Sequence, residues 1–498
     1  MAIVIGSNAG VIPFDAAVII RALIASAGAA IALLWALRVF QRDLATRAIW
    51  LSWVFALSSI YGPLMSAVRR QGVLVETRAP GPASLYTLGV LVIATVATRP
   101  WQVRRRDPVP LVILATLLVA GNLSRGLIAM AASDESWHPA ADRLTASSAS
   151  HVAAHPRAAT RDIYYIVLDG FGRADTLSEY YSLDLSSFVG FLRSRGFYVA
   201  EAAQSNYSQT FLSLGSALNL NYLDSIATAT PEGNRDRRLM RYLIAHNALM
   251  KMARNAGYQV IGVGSDYMAT KQLEAADVCI CRPHGLDEIE QAAIGLTPLI
   301  ALPLGRWPYD THRDRVIAAF AELERLGGGP SPRFIFAHIV TPHPPFVFAA
   351  DGSVRKAYIG NYIFNDGDYL HVTPDDYVAG YHDQVQFVTR RVQQLVTSLL
   401  DRPGPTPVII FHGDHGPGSM LRWDSPKDTN MRERLSIFAA YRFPDGPGLY
   451  PTITPVNGAR LLANGYLGAQ LPLLPDRSWF STFNRPYDFI PVGELTPQ

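Results

Sequence analysis

The hydrophobic and polar positions divide the chain into two contrasting parts. Apolar residues crowd the region before residue 135, in four runs that approach the ~20 apolar residues needed by a bilayer-spanning helix. These runs are Ala16 to Phe40, Ala48 to Val68, Ala83 to Thr98 and Val109 to Ala132. Few charges interrupt them, which argues against a buried helical bundle. Residues 1–135 are therefore predicted to form a multi-pass α-helical membrane domain with about four helices.

Arginines in the short loops predict the orientation of this domain. Arg42 and Arg47 follow the first run, and Arg99 with Arg104–Arg106 follows the third, so both loops are expected in the cytoplasm. The second loop also carries arginines, which weakens the contrast. The stretch after Ala132 is mixed to acidic and is expected outside, together with the carboxyl-terminal domain. The first helix then either inserts with its amino end outside or follows another helix upstream.

The pattern changes twice after the membrane domain. Residues 136–160 are rich in Ala, Ser, His and Pro without apolar periodicity, and a mobile linker is predicted. Over 161–498, short apolar runs alternate with helical patterns, which predicts a parallel or mixed sheet covered on both faces, an α/β/α sandwich. The predicted strands are Ile163–Leu168, Tyr198–Ala200, Gln259–Val263, Phe334–Val340, Val408–Phe411 and Ser436–Tyr441. The predicted helices are Ser186–Arg195, Gln209–Leu220, Asn247–Ala256, Thr311–Arg325 and Pro374–Leu400.

Charge and cysteine content exclude some classes of function. The formal net charge is only +3, which gives no reason to expect a nucleic-acid partner. The two cysteines, Cys279 and Cys281, are too few for a disulfide framework or a four-cysteine zinc site.

Two acidic positions follow apolar strands and are candidate metal ligands. The run Val408–Phe411 leads into Gly413-Asp414-His415-Gly416, and the strand IYYIVL leads into Asp169-Gly170. Ligands of α/β proteins bind beyond the carboxyl ends of such strands, and carboxylate with imidazole suits Zn²⁺ or Mn²⁺. The alternatives are that Asp414 and Asp169 form turns and that His415 is an ordinary buried polar residue.

A hydroxyl group before a predicted helix is the candidate nucleophile. Ser208, Gln209 and Thr210 precede an apolar run, and the free N–H groups of a helix amino terminus favour phosphate or sulfate. Thr210 is the first choice as nucleophile and Ser208 the second. Either hydroxyl would need a base or a metal ion to lower its pKa before it could attack. The alternative is that these residues only cap the helix.

A histidine-proline loop and an arginine-rich segment complete the candidates. Three prolines surround His343, and a rigidly held imidazole is suited to acid catalysis or phosphate binding. His338 lies within the predicted strand and is interpreted as structural. Arg432 lies beside Asn430 and Arg434 and could bind a phosphate oxygen, with a surface ion pair as the alternative.

Taken in order, these motifs resemble those of the alkaline phosphatase superfamily in its sulfatase-like branch. Asp169 after the first strand, Thr210 before an apolar helix, the His343 loop and Gly413–Gly416 occur as they do there. The layout resembles that of membrane-anchored lipoteichoic acid synthase and of phosphoglycerol and phosphoethanolamine transferases. The resemblance covers about residues 160–445 in motif, and it implies an alkaline-phosphatase-like catalytic domain outside the cytoplasm.

The resemblance implies a role for each matched position. Asp169, Thr210, Asp414 and His415 would hold one divalent metal, Zn or Mn, with a weak second ion as an alternative. Thr210 would be the nucleophile and His343 would contact the substrate phosphate. The transferases often carry another histidine after the Asp-His pair, and this chain has none there. Lys427, Arg422 or Arg432 could replace it, and Ser208 could assist in binding the substrate.

The resemblance also implies partners and a location. The expected reaction transfers a phosphoglycerol or phosphoethanolamine type of head group through a phosphothreonine intermediate. A lipid-linked phosphodiester would be the donor, and a surface glycan or lipid the acceptor. The enzyme would be a multi-pass protein of the bacterial inner membrane with a periplasmic catalytic domain. A hydrolase that uses the same site and a non-catalytic membrane scaffold are the alternatives.

Overall fold

The structure is a computed structural model in which two groups of residues form separate compact units. It describes residues 24, 27–28, 30–39, 43–58, 86, 89–96, 138–149, 161–281, 307–326, 332–355, 364–370 and 372–494. The first unit comprises residues 1–133 with 284–310 and 361–363, and the second comprises 134–283, 311–360 and 364–498.

The first unit is helical where it is described. Helix α1, Leu44–Ser58, begins after Asp43, whose carboxylate accepts a hydrogen bond from Thr46 N at 2.7 Å. Residues 30–36 and 89–96 are also helical, and the indole of Trp50 donates to Thr95 Oγ1 at 3.3 Å.

Among the described residues, no helix is both long enough and apolar enough to cross a membrane. The fourth predicted span, Val109 to Ala132, lies outside the described residues, as do parts of the other three.

The second unit is built on a mixed seven-stranded sheet. Its strands are β1 (Ile163–Leu168), β2 (Tyr198–Val199), β3 (Gln259–Val263), β4 (Val278–Ile280), β5 (Arg333–Ile339), β6 (Val408–His412) and β7 (Ala439–Arg442). The order across the sheet is β2-β7-β6-β1-β5-β3-β4. Neighbours from β6 to β4 run parallel, whereas β7 is antiparallel to β6 and to β2. The predicted mixed α/β sheet is confirmed.

Helices cover this sheet and bury the central strand completely. The helices after α1 are α2 (His138–Ala149), α3 (Ala174–Tyr181), α4 (Ser186–Ser194), α5 (Thr210–Leu218), α6 (Asp224–Ala229), α7 (Arg238–Ala245), α8 (Ala248–Asn255), α9 (Trp307–Leu326), α10 (Pro374–Leu400), α11 (Met431–Leu435) and α12 (Pro455–Tyr466). All six residues of β1 are buried, because both faces of a parallel strand in such a sheet are covered. Five of the six predicted strands and four of the five predicted helices lie within about two residues of their predicted bounds, whereas helix α9 begins four residues before the predicted Thr311.

Several elements of the second unit were not predicted as they are observed, among them helices α3, α6, α7, α11 and α12. The predicted strand Ser436–Tyr441 starts only at Ala439, and Ser436 and Ile437 form isolated bridges instead. A carboxyl-terminal hairpin joins β8 (Trp479–Thr482) to β9 (Arg485–Pro491). The edge strand β4 was not predicted. A disulfide joins Cys279 of β4 to Cys281, which directly follows the strand, and the sequence did not indicate this bond.

The predicted linker is wrong for residues 138–149, which form helix α2. Ala140, Ala141 and Leu144 are buried in the same apolar cluster as β1 and α5. Thr145 of α2 also donates to Asn219 Oδ1 at 3.2 Å within this buried region. The apolar face consists mainly of alanines, so it offered little hydrophobic contrast in the sequence. The second unit therefore begins before residue 161.

Replacing Leu144 with alanine tests whether α2 is an integral part of the second unit. Leu144 is only 5% exposed, so Leu144→Ala should lower the free energy of unfolding by roughly 2–5 kcal/mol. Thermal or urea unfolding of the full-length chain measures this change. The neighbouring Arg143 is exposed, and Arg143→Ala should change stability by less than ~0.5 kcal/mol. Equal stabilities of the two variants would show that α2 does not support the fold.

Candidate functional site

The site lies where the central strands of the sheet end. Asp169 directly follows β1, Asp414 and His415 follow β6, and His338 is the penultimate residue of β5. Val167 of β1 is in register with His338 on one side and with His412 on the other. Since parallel strands end at the same edge, this register gathers residues that are far apart in the sequence.

Glycines allow the loop after β6 to pass close to neighbouring backbone. A Cβ atom on Gly413 would overlap with the carbonyl oxygen of Phe171, and one on Gly416 with that of Glu433. The loop is further fixed by Gly416 N, which donates to Arg434 O at 2.7 Å. The glycines around the Asp414-His415 pair are therefore required by packing.

Three other candidate ligand atoms lie close to His415 Nε2. His415 Nε2 lies 3.0 Å from Thr210 Oγ1 and 3.5 Å from both Asp169 Oδ1 and Asp414 Oδ2. In a tetrahedral zinc site with bonds of about 2.0–2.1 Å, neighbouring ligand atoms lie about 3.3–3.4 Å apart. The three distances from His415 Nε2 are thus close to those between neighbouring ligands of one ion.

Unsatisfied oxygens support the same interpretation. Asp169 Oδ1 and Asp414 Oδ2 are fully buried and accept no hydrogen bond from the described residues. The other Asp414 oxygen, Oδ1, accepts from Gly170 N at 3.0 Å, and this bond fixes the carboxylate. His415 Nδ1 lies 2.8 Å from Gly416 O, which leaves Nε2 as the free ligand atom. Buried carboxylates without donors suit a cation, so these residues fit a divalent metal.

Two further histidines extend the cluster. His338, Asp169 and Asp414 offer ligand atoms within 4.8 Å of one another, and so do His343, His415 and Asp169. His338 Nε2 lies 3.3 Å from Asp169 Oδ2, while its Nδ1 lies 2.9 Å from Thr270 Oγ1. The interpretation of His338 as merely structural therefore conflicts with its position. The two overlapping groups are compatible with a second ion.

Thr210 owes its position to a buried helix and a side-chain anchor. It is the first residue of α5, in which every residue is buried, and Gln209 immediately precedes it. Gln209 Nε2 donates to Ser481 Oγ at 2.8 Å and so ties the amino end of α5 to β8. The Thr210 hydroxyl therefore lies at a helix amino terminus, where unpaired N–H groups favour an anionic substrate.

The surroundings adjust the protonation states of the candidate ligands. Burial would raise the pKa of Asp169, but the nearby imidazoles of His343, His338 and His415 outweigh it and lower this pKa overall. Burial, and then the Arg434 guanidinium, lower the pKa of His415. At neutral pH Asp169 is therefore charged and His415 neutral, which are the states that bind metal ions.

Three of the predicted substrate-binding residues lie elsewhere. Arg432 is exposed and pairs with Asp175 at 3.3 Å and Glu179 at 2.8 Å, as in the alternative interpretation. Lys427 is exposed on a single 3-10 turn, Pro426–Asp428. Ser208 is buried, and its Oγ lies 3.5 Å from Ser481 N. The structure does not bring these three side chains into the cluster.

The buried ion pair beside the site is formed by Arg434 and Asp366 instead. Arg434 Nη1 lies 2.5 Å from Asp366 Oδ2, and both side chains are buried. Arg434 also donates to the Ser208 carbonyl at 2.9 Å, so it supports the turn before Thr210. Asp366 Oδ2 lies 4.0 Å from His343 Nε2, whose ring is fixed through Nδ1 by Pro344 O at 2.5 Å. This ion pair therefore connects the turn before Thr210 and the His343 loop.

Comparison with known proteins returns structural likenesses only. No protein-family model matches the chain, and no curated protein matches it. The chain is similar to the C-terminal periplasmic domain of EcEptC from Escherichia coli, with a TM-score of 0.44 and 14% identity over 69% of this chain and 96% of that one. It is also similar to the integral membrane protein lipooligosaccharide phosphoethanolamine transferase A from Neisseria meningitidis, with a TM-score of 0.39 and 13% identity over 74% and 64% of the two chains.

A hydrolase is among the matches as well. The phosphonate monoester hydrolase of Agrobacterium radiobacter gives a TM-score of 0.41 and 14% identity over 64% of this chain and 80% of that one. Sulfatases also match. The three structures described above have TM-scores of 0.39–0.44 and identities of 13–14%, so they are reported only as likenesses to transferases and a hydrolase.

Proposed function

We propose that this chain is a metal-dependent enzyme of the sulfatase-like branch that transfers a phosphoglycerol or phosphoethanolamine type of head group. The observation that carries the proposal is the position of Thr210 Oγ1, 3.0 Å from His415 Nε2 at a helix amino terminus. Such a hydroxyl beside buried metal-ligating groups is arranged to become a nucleophile. If Thr210 only capped the helix, the site would not need the two nearby carboxylates, Asp169 and Asp414, each of which has a buried oxygen without a hydrogen-bond donor among the described residues.

Asp169, Thr210, Asp414 and His415 would hold the ion, with His338 and His343 available to a weaker second one. When bound, a Zn²⁺ or Mn²⁺ ion supplies positive charge that lowers the pKa of the coordinated hydroxyl and offsets the charge of the phosphate oxygens. Thr210 Oγ1 releases its proton to solvent and, as an alkoxide, forms a bond to phosphorus as the bond to the oxygen of the leaving alcohol breaks. The N–H groups at the start of α5 stabilise the charge on the phosphate oxygens.

His343 provides the proton in this scheme. Its imidazole is held by Pro344 O on one side and faces Asp366 on the other. Protonated His343 donates to the departing alkoxide, so the alcohol leaves neutral. An acceptor alcohol then attacks the phosphothreonine and gives its proton to the now neutral His343, while the Thr210 oxygen departs as an alkoxide. This is a ping-pong sequence with one covalent intermediate.

The apolar amino-terminal region supports a membrane setting for this reaction. We propose a multi-pass inner-membrane protein whose catalytic unit faces the periplasm. A lipid-linked phosphodiester would be the donor, with a diacylglycerol as the leaving group. A surface glycan or lipid would be the acceptor. Attachment to the membrane keeps the site close to both kinds of molecule.

Intact-mass spectrometry tests the covalent step. The full-length chain would be incubated with Mn²⁺ or Zn²⁺ and vesicles of phosphatidylglycerol or, separately, phosphatidylethanolamine. A mass gain located at Thr210 is expected, and its size identifies the head group. Release of the free head group without any acceptor would favour the hydrolase. No adduct with either lipid, although metal is bound, would contradict a glycerophospholipid donor.

A further inference from the structure

One face of helix α10 carries three buried polar side chains toward the site. Tyr377, Tyr381 and Gln384 are spaced by four and three residues, so they lie on the same side of this 27-residue helix. Their exposures are 2%, 0% and 0%. The amino terminus of the helix is capped, since the Thr373 side chain accepts a hydrogen bond from Asp376 N and Pro374 occupies the first turn. Buried polar groups on a rigid helix are costly unless they are fully hydrogen-bonded.

Tyr381 holds the loop that follows β1. Its hydroxyl donates to Gly170 O at 2.8 Å and accepts from Gly172 N at 3.0 Å. Gly170 is the residue next to Asp169, and its N–H is the donor that fixes Asp414 Oδ1. One hydroxyl therefore supports the backbone beside two of the candidate metal ligands.

Tyr377 connects the loop after β6 to Asp366. Its hydroxyl donates to Asp366 Oδ1 at 2.7 Å and accepts from Gly418 N at 2.8 Å. Gly418 lies three residues beyond His415. Asp366 is the carboxylate that pairs with Arg434 and faces His343.

Gln384 holds the loop that carries His343. Its Nε2 donates to the carbonyl oxygens of Pro342 and His343, each at 3.1 Å, and its Oε1 accepts from Val347 N at 2.8 Å. The amide thus uses both donors and its acceptor on one loop. The same loop is joined to the first through His343 N, which donates to Asp169 O at 3.0 Å.

We propose that Tyr377, Tyr381 and Gln384 form a positioning face that fixes the three site loops relative to one another and so sets the affinity of the metal centre. This inference rests on the proposed metal centre. Each side chain contacts a different loop, while the helix keeps the three at constant spacing. None of them lies among the candidate ligands, so they act through the backbone that carries those ligands.

The chemistry of these groups suits a permanent support. Burial is the largest cause that raises the pKa of both hydroxyl groups well above 10. Nearby acidic groups raise the pKa of Tyr377 further. The hydrogen bond from Gly172 N partly offsets the effect of burial on the pKa of Tyr381. Both tyrosines therefore remain neutral donors across the physiological range. The glutamine has no charge to lose.

Metal titration of Tyr381→Phe and Gln384→Leu tests the inference. Isothermal titration of the metal-free full-length chain with Zn²⁺ or Mn²⁺ alone should give a Kd about 10–100-fold higher for each variant than for the unsubstituted chain. Gln386→Leu is the matched control, because among the described residues the side chain of Gln386 hydrogen-bonds only to His382 of the same helix. Its Kd should stay within twofold of the original value.

Stability measurements separate positioning from a general structural role. Each variant is titrated at a temperature where thermal unfolding shows the metal-free chain to be folded, so weaker binding cannot reflect unfolding. If the folded Tyr381→Phe and Gln384→Leu variants bind the metal ion as tightly as the Gln386→Leu control, the positioning role is overturned but the metal centre is not. If the unsubstituted chain binds neither ion, the metal centre itself is overturned, and the positioning role with it.

Discussion

The Thr210→Ala variant should lose both the covalent adduct and turnover, with a rate lower by roughly 10³-fold or more. The substitution removes the only hydroxyl that the described residues bring to His415 Nε2. No neighbour is placed to take over, since Ser208 Oγ faces Ser481 N and Ser213 Oγ lies 3.2 Å from Ser205 Oγ. Intact-mass spectrometry and head-group release measure the two losses on the same sample.

Two serine variants make this prediction specific. Thr210→Ser keeps a hydroxyl at the helix terminus, so the adduct should still form, at a reduced rate. Ser208→Ala removes the second-choice nucleophile and should leave the rate within a few-fold, because the Ser208 contact to Arg434 uses the backbone carbonyl. An adduct that persists in Thr210→Ala, or that moves to Ser208, would exclude Thr210 as the nucleophile.

Local signals were strong enough to predict several elements and the centre of the site. Strand β1 has its predicted bounds because six apolar residues are followed directly by Asp-Gly. Helix α10 has its predicted bounds because Thr373 and Pro374 mark its start and an amphipathic pattern continues for seven turns. Asp169, Asp414 and His415 each follow a predicted strand, so their convergence followed from the expected sheet, whereas Thr210 was added to the set through the family resemblance.

Residues without a local signal were missed. His338 lies in a strand that is buried on both faces, so alternation could not reveal its direction. Its proximity to Asp169 arises only when β5 pairs with β1. Arg432 and Arg434 differ by about 200° around a helix, which sends one to the surface and buries the other. A five-residue helix offers too little periodicity to choose between them.

Removing the metal should destabilise the unsubstituted chain but not Asp414→Asn. A ligand that binds only the folded state at 100 times its Kd stabilises it by about 2.7 kcal/mol. Chelation with EDTA should therefore lower the Tm of the unsubstituted chain by several degrees and abolish its activity. Asp414→Asn loses a charged ligand, so its Tm should be the same with and without added metal, and its activity should fall by roughly 10²-fold or more.

The Asp414→Asn variant also shows how much the unpaired Asp414 carboxylate destabilises the metal-free chain. Without metal, Asp414 Oδ2 and Asp169 Oδ1 are buried oxygens without donors, each 3.5 Å from His415 Nε2. An asparagine amide can supply a donor there and keep an acceptor for Gly170 N, so metal-free Asp414→Asn should be at least as stable as the metal-free original chain. Asp428→Asn, at an exposed residue, controls for loss of a charge and should retain the full response to EDTA. A metal-free Asp414→Asn chain that unfolds well below the original would mean that the carboxylate serves the fold rather than an ion.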